Sequence, residues 1–115
     1  MPPDPDAQPP WVPHTDVFVN QAGEFVIKVE LAALRREDLE LKVQDHCLEI
    51  VGRRPDTDRS NESEYLVTEI DCGPFRRVVD VPASYDINSA VAEYQNGVLR
   101  VVVPGKRSDW RLRLR

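Results

Sequence analysis

The thirteen residues from Ala92 to Pro104 read as a complete β-hairpin, and little else in the chain is so constraining. Asn96-Gly97 is its turn. A two-residue type I′ turn needs φ > 0 at both central positions, which Asn and Gly tolerate best. The strand that follows, Val98-Leu99-Arg100-Val101-Val102-Val103, is rich in β-branched residues and suits burial in a sandwich core. Pro104 ends it, because proline donates nothing to a ladder.

The residues before the hairpin keep a period of two. Val17 and Val19 make a short strand, and Gln21-Ala22-Gly23-Glu24 a turn. Phe25, Ile27, Val29 and Leu31 then share one face, with Lys28 and Glu30 on the other. Arg35-Arg36-Glu37-Asp38 has length for one turn of helix only. Leu39, Leu41 and Val43 alternate with Glu40, Lys42 and Gln44, giving a strand with one wet face. Asp45-His46 turns the chain, and Cys47 to Val51 return it. Residues 52–64 carry almost nothing apolar and are expected to form a long exposed loop, a feature that is usually functional or disordered. Tyr65, Leu66, Val67 and Ile70 are expected to resume a strand. Gly73-Pro74 should interrupt it as a bulge, and Phe75 to Val81 continue it. The expected fold is all-β, an immunoglobulin-like antiparallel β-sandwich of seven to eight strands, with turn signals every 8 to 12 residues.

A chain of 115 residues allows one domain and can bury a two-layer core without metal or disulfides. Residues 1–14 hold six prolines and are expected to form a disordered arm ahead of a domain over 15–104. Trp11 and Val12 are that arm's apolar anchor, for docking on the domain, on a second subunit or on a client; docking within the protein is favoured. Residues 105–115 form a basic tail. It reads either as a contact for an acidic surface or, preferably, as a solvated end. The net charge of −5 argues against duplex DNA as partner. No apolar run is long enough to span a membrane, and no secretion leader is visible. Cys47 and Cys72 are too few and too far apart for a disulfide scaffold or a zinc site. The cytoplasm is the expected location, where a Cys47–Cys72 bridge would rarely form.

Asp16-Val17-Phe18, Phe25 to Leu31, Arg36-Glu37-Asp38-Leu39, Leu48-Glu49-Ile50-Val51-Gly52, Gly73-Pro74-Phe75-Arg76-Arg77 and Ala92 to Pro104 occur in an order and spacing similar to the α-crystallin domain of the small heat-shock proteins. The resemblance covers residues 15–104. Where that family often carries Pro-Gly after Glu30-Leu31, this chain has Ala32-Ala33. The resemblance implies ATP-independent holding of partly unfolded proteins against aggregation under stress, by dimers or small oligomers. It implies a C-terminal anchor at Leu112 and Leu114, against the alternative of a frayed basic terminus. The anchor's groove would be lined by Leu39, Leu41, Val43, Val91 and Tyr94. Two apolar residues at i and i+2 point the same way in an extended segment, as two adjacent pockets require. The Gly73-Pro74-Phe75 break resembles bacterial and plant members, which implies dimerisation by exchange of the loop, with Arg77, Tyr65, Asp56, Asp58 and Glu62 near the interface. Arg77 reads alternatively as a surface cation paired to one of those carboxylates.

Enzymatic chemistry finds little support. His14 lies in the Pro-rich arm and His46 in a tight turn, and neither sits in a nucleophile motif. The acidic residues lack calcium-loop spacing, the five glycines are dispersed, and no cofactor is expected. Two other jobs fit the same sandwich: a CS-domain-like co-chaperone that binds one chaperone as a monomer, and an adaptor that recognises one partner through its edge groove.

Overall fold

The computed structural model describes residues 10–60 and 62–106. Seven strands form two antiparallel sheets: β1 (Thr15–Val19), β2 (Phe25–Glu30), β3 (Leu39–Gln44), β4 (Cys47–Arg54), β5 (Gly73–Asp80), β6 (Val91–Gln95) and β7 (Val98–Val103). The four-stranded sheet runs in the order β1-β2-β7-β6 and the three-stranded sheet β3-β4-β5. The expected sandwich is therefore present, with seven strands among the described residues. Arg36–Asp38 makes the single turn of 3-10 helix its length allows.

Alternation decides which side chains fill the core. Phe25, Ile27, Val29 and Leu31 supply one wall with Leu99, Val101 and Val103. Leu48, Ile50, Phe75 and Val79 supply the other. The hairpin turn is as its residues demand: Asn96 has φ 52° and Gly97 φ 79°. At the unusual Ala32-Ala33 site, Ala33 itself takes φ 63°, the conformation a glycine would take without strain.

The expected strand over Tyr65–Ile70 does not form. β4 runs three residues beyond Val51, its pairing with β5 ends at Arg54↔Gly73, and the chain leaves the sheet there. Residues 62–72 have no neighbouring strand to pair with. Arg59 occupies the Ile70 carbonyl at 2.6 Å and Arg54 the Asp71 carbonyl at 2.8 Å. Gly73, at φ 83°, starts β5 where a bulge inside a longer strand was expected. The loop thus runs from Pro55 to Cys72.

The paired structure also begins earlier than residue 15. Trp11 makes a parallel bridge to Phe75, so part of the expected disordered arm lies on the sheet. Cys47 pairs with Asp80 while Arg54 pairs with Gly73, which separates Cys47 from Cys72 by about 23 Å along the strands. A disulfide needs Cα atoms within about 7 Å, and both thiols are free.

Candidate functional site: the cleft between two sheet edges

β3 closes one edge of the three-stranded sheet and β6 one edge of the four-stranded sheet. Each uses one side of its backbone for its neighbour and, among the described residues, leaves the other without a strand. An open edge of this kind is a template for an added strand. Between the two edges lies a cleft of about 340 Å³. Leu39 and Leu41 line it from β3, Ala92 and Tyr94 from β6, and Leu99 lies beneath. Arg36, Glu93 and Gln95 stand at its rim.

Register explains this membership. Leu39 and Leu41 are partnered with Gly52 and Ile50, on the core side of β3. Ala92 and Tyr94 are partnered with the buried Val101 and Leu99, on the core side of β6. Tyr94 donates its phenol O–H to the Leu31 carbonyl, with the Leu34 carbonyl 3.3 Å away. The ring is thereby fixed as one wall, and the 31–34 loop is tied to the cleft.

Two of the five expected groove residues lie elsewhere. Val91 is opposite Val102 on the outer face of its sheet and is 62% exposed; its neighbour Ala92 takes its place. Val43 is also exposed and borders a different hollow. That hollow, about 740 Å³, covers the outer end of the three-stranded sheet and includes His46, Cys47, Glu49 and Arg76. Val78 and Val81 line it together with charged groups, and a 2.6 Å Arg76–Glu49 ion pair lies within it.

The expected interface residues fall into two groups. Asp56 and Tyr65 gather around Arg59, a residue that no local pattern singles out. The Arg59 guanidinium is 3.3 Å from the Asp56 carboxylate, 2.6 Å from Cys72 Sγ and 5.6 Å from the centre of the Tyr65 ring. Loss of hydration and the nearby Asp56 charge push the Tyr65 phenol up from its ordinary pKa, against the pull of Arg59. Asp58 donates its backbone N–H to Asp56 at the same turn. Arg77 and Glu62 do not join the cluster. Arg77 is half-buried on β5 opposite Ile50, and among the described residues no ion pair reaches it. Glu62 is exposed at φ 55°.

Folding around Arg59 leaves the loop's apolar residues outside. Leu66 is 89% exposed and Ile70 75%, with Val67 between them similarly bare. Val17 and Val19 of β1 are exposed too, although they lie on the core-facing side of their sheet, in register with Ile27 and Phe25. The three-stranded sheet does not reach over them. Trp11, by contrast, is docked: its ring packs on Phe75 with centroids 5.3 Å apart, and the Arg54 guanidinium lies 4.3 Å from its centre. Val12 beside it is exposed. The anchor candidates Leu112 and Leu114 lie outside the described residues.

Comparison with known proteins agrees with this geometry. The family described as Hsp20/alpha crystallin matches residues 17–112. Small heat shock protein C2 of Rickettsia felis is 26% identical over 95 residues, covering 83% of this chain and 61% of its own. A 19.0 kDa class II heat shock protein of Oryza sativa subsp. japonica is 35% identical over 91 residues, 74% of this chain and 52% of its own. The chain thus spans between half and two-thirds of the length of these relatives. Among solved structures, a small heat-shock protein from Xylella fastidiosa superimposes with a TM-score of 0.78 at 26% identity, covering 91% of this chain and 95% of that one. HSP18.5 from E. histolytica gives 0.72 at 25% identity, covering 90% and 97%. With the family match over residues 17–112 and the sandwich fold in agreement, the chain belongs to the Hsp20/alpha crystallin family.

Proposed function

We propose that this protein is a holdase: it binds partly unfolded polypeptides without ATP and keeps them from aggregating. The observation that carries the reading is the Leu39–Leu41–Tyr94 cleft, a channel with apolar walls and a charged and polar rim, bordered by two backbone edges. Backbone edges hold an extended segment by hydrogen bonds, and alternate pockets take its apolar side chains. Such segments are exposed in unfolded chains and hidden in folded ones. Family membership supports a chaperone role.

Two further contacts complete the reading. The bare Leu66, Val67 and Ile70 of one subunit cover the bare Val17 and Val19 of a second, giving a dimer by loop exchange. Leu112 and Leu114 dock in the cleft of a neighbouring dimer and build small oligomers. Clients and anchors then compete for one cleft, and dissociation opens it. The cytoplasm, with both thiols reduced, is the compartment this reading assumes.

The test is light scattering from a heat-aggregating client with this protein at stoichiometric amounts. Suppression of the signal is the expected outcome; scattering that rises as in its absence sinks the reading.

A further inference from the structure

The Pro10–Pro13 segment sits on β5 where a fourth strand of the sheet would lie. Trp11 donates its backbone N–H to Pro74 O at 3.2 Å, and Arg76 donates to Trp11 O at 3.1 Å. The indole Nε1 donates to Gly73 O at 3.2 Å. The walls of this seat do not depend on Trp11. Phe75 is held in the core, and Arg54 is held by the carbonyls of Asp71 at 2.8 Å and Ala32 at 3.2 Å.

The segment's hold is local. One bridge and one ring make it, and the next residue, Val12, is exposed. Downstream, the chain is fixed independently: Pro13 is fully buried, Thr15 Oγ1 donates to Pro13 O at 3.0 Å, and Glu30 donates to His14 O at 3.0 Å. Trp11 can therefore lift off while β1 stays in place.

We propose that the Trp11 seat is an exchangeable binding site on the β5 edge. Trp11 covers it at rest, and an extended segment of unfolded polypeptide bearing an aromatic side chain replaces it. This rests on the client-holding reading above and adds a second site to the cleft. The chemistry is matched at two points. The edge offers the Arg76 N–H and the Pro74 C=O to a backbone. Phe75 and Arg54 offer a ring and a cation to an aromatic side chain. Native proteins bury their aromatic residues, so the site selects unfolded ones.

The test uses the full chain with Trp110→Phe, which leaves Trp11 as its one tryptophan. Reduced insulin B chain, which has no tryptophan, is the client. Its addition should shift Trp11 emission to the red and raise acrylamide quenching as the indole leaves its seat. In parallel, Trp11→Ala should bind a fluorescein-labelled Gln8–His14 peptide about tenfold more tightly than the parent chain, and Arg54→Ala added to it should remove the gain. Insulin aggregation suppressed with Trp11 emission unmoved overturns the seat and leaves the holdase reading standing. Insulin scattering unaffected by the protein sinks the holdase reading itself. A red shift produced by raising the protein concentration alone, without insulin, assigns the seat to a second copy of this chain and overturns the client assignment. Should Trp11→Ala fail to fold, the emission arm decides, because it keeps Trp11.

Discussion

Gly52 on β4 and Phe75 on β5 are register partners with no room between them for another carbon. A Cβ on Gly52 would stand 2.5 Å from Phe75 Cζ and closer still to the Asp38 carbonyl oxygen. Both obstacles are fixed, one in the core and the other at the turn before β3. Gly52→Ala is therefore expected to lower stability by about 1–3 kcal/mol, the usual range for forcing an extra group into a packed site. Urea denaturation checks it: the midpoint should fall with the slope unchanged. Since Phe75 also carries Trp11, the variant should loosen the Trp11 segment as well.

Ala33 predicts the opposite sign. Its φ of 63° places an L-residue in the left-handed region, at a cost of roughly 1 kcal/mol. Glycine removes the clash but loses more backbone freedom on folding. Ala33→Gly is expected to raise stability by up to about 1 kcal/mol, seen as a rise of a few degrees in Tm. Gly97→Ala should do the reverse, because Gly97 has φ 79° and a Cβ there would meet Ala32 Cα at 3.1 Å.

These positions also show what the sequence makes legible. Asn96-Gly97 and the Phe25–Leu31 alternation declare themselves because turn chemistry and period are local, and both are as expected. Tyr65–Ile70 has the composition of a strand, yet a strand needs a partner, and the β4 pairing ends at Arg54↔Gly73. Composition carries no record of that. In the cleft, the resemblance implies Val91, whereas register selects Ala92; a shift of one residue exchanges the faces of a strand. The Arg54–Trp11 and Arg59–Cys72 contacts join residues 43 and 13 positions apart, and no local pattern marks them.

Tyr94 ties the cleft wall to the 31–34 loop by a hydrogen bond from its hydroxyl. Tyr94→Phe keeps the ring and removes the donor to the Leu31 carbonyl. Losing one such bond typically costs about 1 kcal/mol. Thermal unfolding should show that loss with the fold unchanged by circular dichroism. The variant should also hold clients less well, because the wall it frees is the one the cleft uses.

The two proposed assembly contacts are separable, so their variants should separate in mass. Leu66→Ser with Ile70→Ser removes two exposed apolar side chains from the loop. Neither contributes to the core of the subunit, so folding should be retained while the loop contact is lost; with Leu112→Ala and Leu114→Ala added, light scattering should report the mass of a single chain. Leu112→Ala with Leu114→Ala should instead lower the oligomer to dimers and stop there, because the loop contact is untouched. If the loop variant keeps the parent mass, exchange is not the dimer contact. If the tail variant keeps it, the cleft holds something other than this tail. In the proposed function clients compete with the anchor for the Leu39–Leu41–Tyr94 cleft, so the tail variant should also suppress aggregation at lower protein ratios than the parent, and a variant that is both dimeric and less active would break the link between opening the cleft and holding clients.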